Sequence, residues 1–130
     1  MKEEFVPLPE QPTSLQNGCS LQQLEDSSLG LSITVTDRAK KWIEVEFDEP
    51  VAHRCYLEET QAYFWPEFHK RKQGPGSIYN VSNSQWLKDF DKADLIHYAT
   101  SEHYLIVTDQ KRIDVISCNP PKITVMDRHG

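Results

Sequence analysis

Residues 95–116 read LIHYATSEHYLIVTDQKRIDVI, and this stretch decides the fold. Leu95 to Ala99 is predicted as a strand, with a turn at Thr100 to Glu102. Tyr104 to Thr108 follows as a strand that is apolar on both faces at Leu105, Ile106 and Val107, the pattern of a central strand covered on both sides. Asp109 to Lys111 turns the chain. Ile113 and Val115 then alternate with Arg112 and Asp114 in a third strand. Short strands joined by tight turns pair antiparallel.

Working outward, Leu31, Ile33 and Val35 alternate with Ser32, Thr34 and Thr36 just after Gly30. Ile43, Val45 and Phe47 alternate with Trp42, Glu44 and Glu46. The two runs predict a hairpin with one face in water. Val51 to Glu58 reads as another strand, with His53, Cys55 and Leu57 on one side. On that pattern Cys55 is expected as a buried core thiol. The aromatic run Ala62 to Phe68 is interrupted at Pro66, which predicts an edge strand or a packed loop. His69 to Ser77 reads as an exposed basic loop. Ile78 to Val81 is a short strand. Ser82 and Gln85 stand at capping-box spacing before Trp86, Leu87 and Phe90, predicting a helix from Asn83 to about Lys92. After Pro120 and Pro121, Ile123 and Val125 suggest one last strand.

The expected architecture is α+β: an antiparallel, curved sheet of about six to eight strands with one short helix packed on it. Residues 1–29 are expected to be a flexible N-terminal tail, because Pro7, Pro9 and Pro12 break regular structure and Gln, Ser and Asn dominate the residues after them. Residues 30–130 form a single β-rich domain. Leu21 and Leu24, three apart, would allow a short helix in the tail.

The chain has 130 residues, enough to bury a core without disulfides or metals. It carries 20 acidic and 14 basic residues for a formal charge of −6. That balance is ill suited to nucleic acid, where affinity comes from Lys and Arg on phosphate, and suits a basic protein partner. Three cysteines without a CxxC, an N-terminus lacking an apolar core and no long apolar run lead to the expectation of a cytoplasmic protein with no membrane segment.

Several residue groups are candidates for chemistry. His97, Glu102 and His103 flank one predicted turn and offer two nitrogens and a carboxylate, a weak metal candidate because the spacing matches no established signature. With Tyr98 and Tyr104 they would line the pocket of a small-molecule-binding protein or a metal-dependent enzyme. The acidic strand face Glu44 and Glu46, flanked by aromatics, reads either as a solvated surface or as a docking face. Its proposed contact residues are Trp42, Glu44, Glu46, Tyr56, Glu58, Tyr63 and Trp65, aromatic anchors within a charged rim. No cofactor and no catalytic residue is expected.

The runs YNVSNSQWLKDF, LIHYATSEHYLIVTDQKRIDVIS and NPPKI, across roughly residues 78–123, resemble small bacterial immunity proteins of polymorphic-toxin and contact-dependent inhibition systems. The resemblance implies a protein-binding module whose partner is a toxin domain, commonly basic, neutralised by surface complementarity. It assigns no individual residue. An interaction domain with no toxin partner is the alternative within the same class.

Overall fold

The computed structural model describes residues 2–60, 62–90 and 100–126. Nine strands and two α-helices form among these residues, in an α+β arrangement of two antiparallel sheets that do not close into a barrel. The strands are β1 (Glu4–Pro7), β2 (Cys19–Ser27), β3 (Gly30–Asp37), β4 (Trp42–Phe47), β5 (Ala52–Leu57), β6 (Ile78–Ser82), β7 (Glu102–Val107), β8 (Lys111–Ser117) and β9 (Lys122–Met126). The helices are α1 (Phe64–Arg71) and α2 (Gln85–Asp89), with 3-10 turns at Thr13–Asn17 and Glu58–Thr60. The first sheet has the order β1-β6-β7-β8-β5, the second β2-β3-β4-β9.

Alternation explains why the two sheets stack. Leu31, Ile33, Val35, Ile43, Val45 and Phe47 leave β3 and β4 on one side. Ile78, Tyr104, Ile106, Ile113 and Val115 leave the first sheet on the facing side, and both sets join one buried cluster. Burying such side chains is worth about 1.5–3 kcal/mol each before entropy is counted. The other face of the first sheet carries a second cluster, Phe5, Tyr79, Val81 and Leu105, beneath Phe64, Trp65 and Phe68 of α1. As the 95–116 stretch suggested, β7 is therefore central and covered on both sides. The strand expected at Leu95 to Ala99 lies outside the described residues.

The N-terminal segment differs most from expectation: much of residues 4–27 is built into the sheets. Phe5 pairs with Val81, and Cys19 to Ser27 pair along β3. The register shift between Leu21 and Gln23 adds one residue to β2, so Leu21 and Leu24 both turn inward although three apart. The expected helix there is a bulged strand. The β2–β3 hairpin turns at Gly30, whose φ of 127° favours glycine and where a Cβ would stand 2.4 Å from the Phe47 carbonyl oxygen.

Two helices replace the single one expected. Pro66 is the third residue of α1, in the first turn where a missing N–H costs little, so the aromatic run is helical and takes in His69 to Arg71. The cap of α2 is Ser84 rather than Ser82. Ser82 belongs to β6, and Asn83, at φ 57°, makes the break between strand and helix. No helix among the described residues is long and apolar enough to cross a membrane.

Candidate functional site

The residues on the outer face of the second sheet fall in rows set by register. Thr36, Trp42 and Met126 form one row, Thr34, Glu44 and Thr124 the next, and Ser32, Glu46 and Lys122 the third. Beside these rows lies a groove of about 450 Å³ lined by Glu25, Leu29, Glu44, Glu46, Asp48 and Lys122 among others. Four carboxylates thus face one ammonium. Leu29, at the turn of the β2–β3 hairpin, is 88% exposed.

Inside the groove the Ser32 hydroxyl donates to Glu44 at 3.2 Å. Hydrogen bonding of a protonated Glu46 to Glu44, then partial burial and the Glu44 charge, raise the Glu46 pKa against the opposing pull of Lys122. The sign follows directly. A carboxyl whose pKa is higher in the folded than in the unfolded chain favours folding when protonated, and this contribution is lost as pH rises through the folded value. Glu46→Gln should therefore stabilise the protein near pH 7 by about 0.5 kcal/mol, with the gain vanishing in acid. Urea titrations at the two pH values test it, and equal stability of the two proteins near pH 7 would rule out the repulsion.

The expected contact residues divide between the two sheets. Trp42, Glu44 and Glu46 share the outer face just described. Tyr56 lies on β5 in the first sheet, Glu58 in the following 3-10 turn and Trp65 on α1, while Tyr63, at the α1 N-cap, is 93% exposed. The Trp65 indole N–H donates to the Glu58 carbonyl at 2.7 Å, so Glu58 and Trp65 form a local unit of their own.

The metal and pocket candidates are also separated. His103 and Tyr104 are neighbours on a strand and point to opposite faces. Tyr104 enters the inter-sheet core, and its hydroxyl donates to the exposed Glu102 at 3.2 Å. His97 and Tyr98 lie outside the described residues. Among the described residues no group of three His, Cys, Asp or Glu side chains could hold a metal ion.

His103 instead belongs to a buried polar chain that neither spacing nor composition pointed to. Asp114, 0% exposed, is ion-paired or hydrogen-bonded with His103 Nε2 at 2.6 Å, Arg112 Nε at 2.9 Å and Arg54 Nε at 3.4 Å. An ionised carboxylate only accepts, so Nε2 carries the proton and Nδ1 accepts the Ser84 hydroxyl at 2.7 Å. Ser84 Oγ in turn accepts from the Leu87 N–H and caps α2. The Phe64 ring lies 3.5 Å from the Arg112 guanidinium carbon, and that of Trp86 4.1 Å from the Arg54 guanidinium carbon.

Serine, histidine and aspartate in a row suggest an activated nucleophile. The chemistry points elsewhere. The Ser84 oxygen is buried and committed to a helix cap. The chain is a fastener that ties α2 and β5 to the centre of the first sheet.

Cys55 is exposed rather than buried, because β5 is the edge strand and the second sheet does not extend over it. Cys19, from the segment expected to be a tail, is the buried thiol, and burial raises its pKa to about 11. Searches against protein-family models, curated proteins and solved structures find no match to this chain.

Proposed function

We propose that this chain is a protein-binding module that receives a basic protein on the outer face of its second sheet, the candidate partner being a toxin domain. The observation that carries the reading is the Glu44–Glu46 pair. Two carboxyl groups are held together in a groove with one lysine at its side, at a local electrostatic cost. A guanidinium or ammonium from a partner, set between them, would turn that cost into attraction, which is how a preformed site gains both rate and specificity. Trp42 on the same face and Leu29 at the turn supply apolar contact beside the charges. The net charge of −6 favours approach of a basic partner from a distance. The resemblance to immunity proteins supplies the class of partner.

The test is affinity capture from the host's lysate with the wild-type chain and with Glu44→Lys/Glu46→Lys. One basic protein should be retained by the wild type and released at raised salt. Reversing two desolvated charges should weaken its binding by roughly a hundredfold. Expressed alone the partner should arrest growth, and co-expression of this chain should relieve the arrest. Equal capture by both proteins would sink the acidic face as the site. A captured partner without toxicity would sink the immunity reading and leave the binding module standing.

A further inference from the structure

A different surface carries a second inference, independent of the acidic groove. We infer that β5 pairs with β5 of a second copy, antiparallel about Cys55, to join two first sheets into one continuous sheet.

Among the described residues β5 is bonded on one side only, to β8. The Glu58 N–H donates to the Gln110 carbonyl at 3.0 Å, in register with the pairing of Leu57 and Lys111. Bonding alternates along an antiparallel pair, so Ala52, Arg54 and Tyr56 spend their backbone groups on β8. His53, Cys55 and Leu57 turn theirs outward. Two of these three side chains are accessible: Cys55 is exposed and Leu57 is 46% exposed. β1, the other edge of this sheet, is blunted, since the Phe5 carbonyl accepts from the Gln73 N–H at 2.8 Å and Phe5 bridges to Lys72.

The occupant follows from charge. The segment is cationic near its start, at Arg54, and anionic just past its end, at Glu58 and Glu59. A uniformly basic or acidic strand would oppose one of these ends. A second copy running antiparallel opposes neither. Cys55 would face Cys55, His53 would face Leu57, and Glu58 would lie diagonal to Arg54 of the second copy on one face. Such a two-fold contact is self-complementary, as a closed dimer requires. One strand pair buries less than the roughly 1,200 Å² of a stable interface, so the dimer is weak, with a dissociation constant on the order of 10–100 μM.

Sedimentation velocity on the purified full-length chain, from about 5 to 300 μM, tests the inference across that range. The wild type should move from monomer to dimer. Cys55→Pro removes an outward N–H and no bond to β8, and should be monomeric throughout. Should that variant fail to fold, Glu58→Lys/Glu59→Lys puts a like charge diagonal to Arg54 of the second copy and removes the anionic end of the segment, and should weaken dimerisation at least tenfold. Oxidised glutathione should convert the concentrated wild type to a disulfide-linked dimer with release of two reduced glutathiones, since paired Cα atoms about 5.5 Å apart suit a disulfide. Cys55→Ser should abolish the cross-link, and Cys118→Ser should keep it. A wild type that stays monomeric at 300 μM would overturn the pairing, as would a dimer indifferent to the Cys55 and Glu58/Glu59 changes.

Discussion

Asp114→Asn should cost this protein about 3–5 kcal/mol, a large part of the roughly 5–15 kcal/mol that holds a domain of this size together. The substitution keeps the shape of the side chain and one accepting oxygen. It removes the charge that Arg54, Arg112 and His103 are arranged around. Arg112 is buried and Asp114 fully so, leaving water little access to repair the loss. In urea the midpoint should fall by about 2 M with an unchanged slope, since the same surface is exposed on unfolding. A loss below about 1 kcal/mol would mean that the arginines find solvent and that the cluster is not closed.

The pH dependence separates this electrostatic effect from a packing defect. Burial alone would raise the Asp114 pKa. The His103 hydrogen bond and the charges of Arg112 and Arg54 outweigh it, and the net direction is down. A carboxyl with a folded pKa below its unfolded value of about 3.9 stabilises the fold above that value and loses its contribution as pH falls through the folded pKa. The gap between wild type and Asp114→Asn should therefore be full at pH 7 and close in strong acid. A cavity or a packing fault would leave a gap that does not close. Arg54 lies on β5 and Ser84 caps α2, so hydrogen exchange in the variant should rise first at β5 and α2.

What the sequence discloses depends on whether a strand has one wet face. β3 and β4 do, and the alternation of Ile43, Val45 and Phe47 with Trp42, Glu44 and Glu46 marks both the hairpin and the acidic face. β7 is legible as an unbroken apolar run. β8 shows the opposite case. Arg112 and Asp114 alternate with Ile113 and Val115 as a solvent face would, yet both are buried. Their partners Arg54, His103 and Ser84 come from three other stretches, so spacing along the chain holds no trace of the cluster. The expected docking residues divide for a related reason: periodicity gives a strand's inward face but not which of two sheets it joins. β5 reads like a neighbour of β4 and belongs to the other sheet. Cys55, with the spacing of a core residue, is exposed because the facing sheet stops short of it.

The N-terminal segment is the least legible, and it is where the second large effect is expected. A chain of residues 30–130 should fail to fold cooperatively. Phe5, Leu15 and Cys19 are all buried, and removing each large apolar side chain from a core costs about 2–5 kcal/mol. Polar anchoring goes with them. The Gln11 carboxamide accepts from the N–H groups of Ser77 and Ile78 at 2.9 and 3.0 Å and donates to the Ile78 carbonyl at 2.8 Å, while the Ser77 hydroxyl donates to the Leu15 carbonyl at 2.7 Å. Without β1 and β2, the edges of β6 and β3 would lie open beside an uncovered apolar face, an arrangement prone to aggregation. Circular dichroism should show no sharp thermal transition, and the amide spectrum should lose its dispersion. A truncated chain that melted cooperatively within a few degrees of the full one would restore the tail reading. The composition of β2 hides this role. It is an edge strand rich in Gln, Glu and Asp, and its bulge breaks the period of two at the point where Leu21 and Leu24 would have revealed it. A polar edge with an irregular period protects a sheet from unwanted pairing, and the same two properties make it look like a tail when only the letters are read.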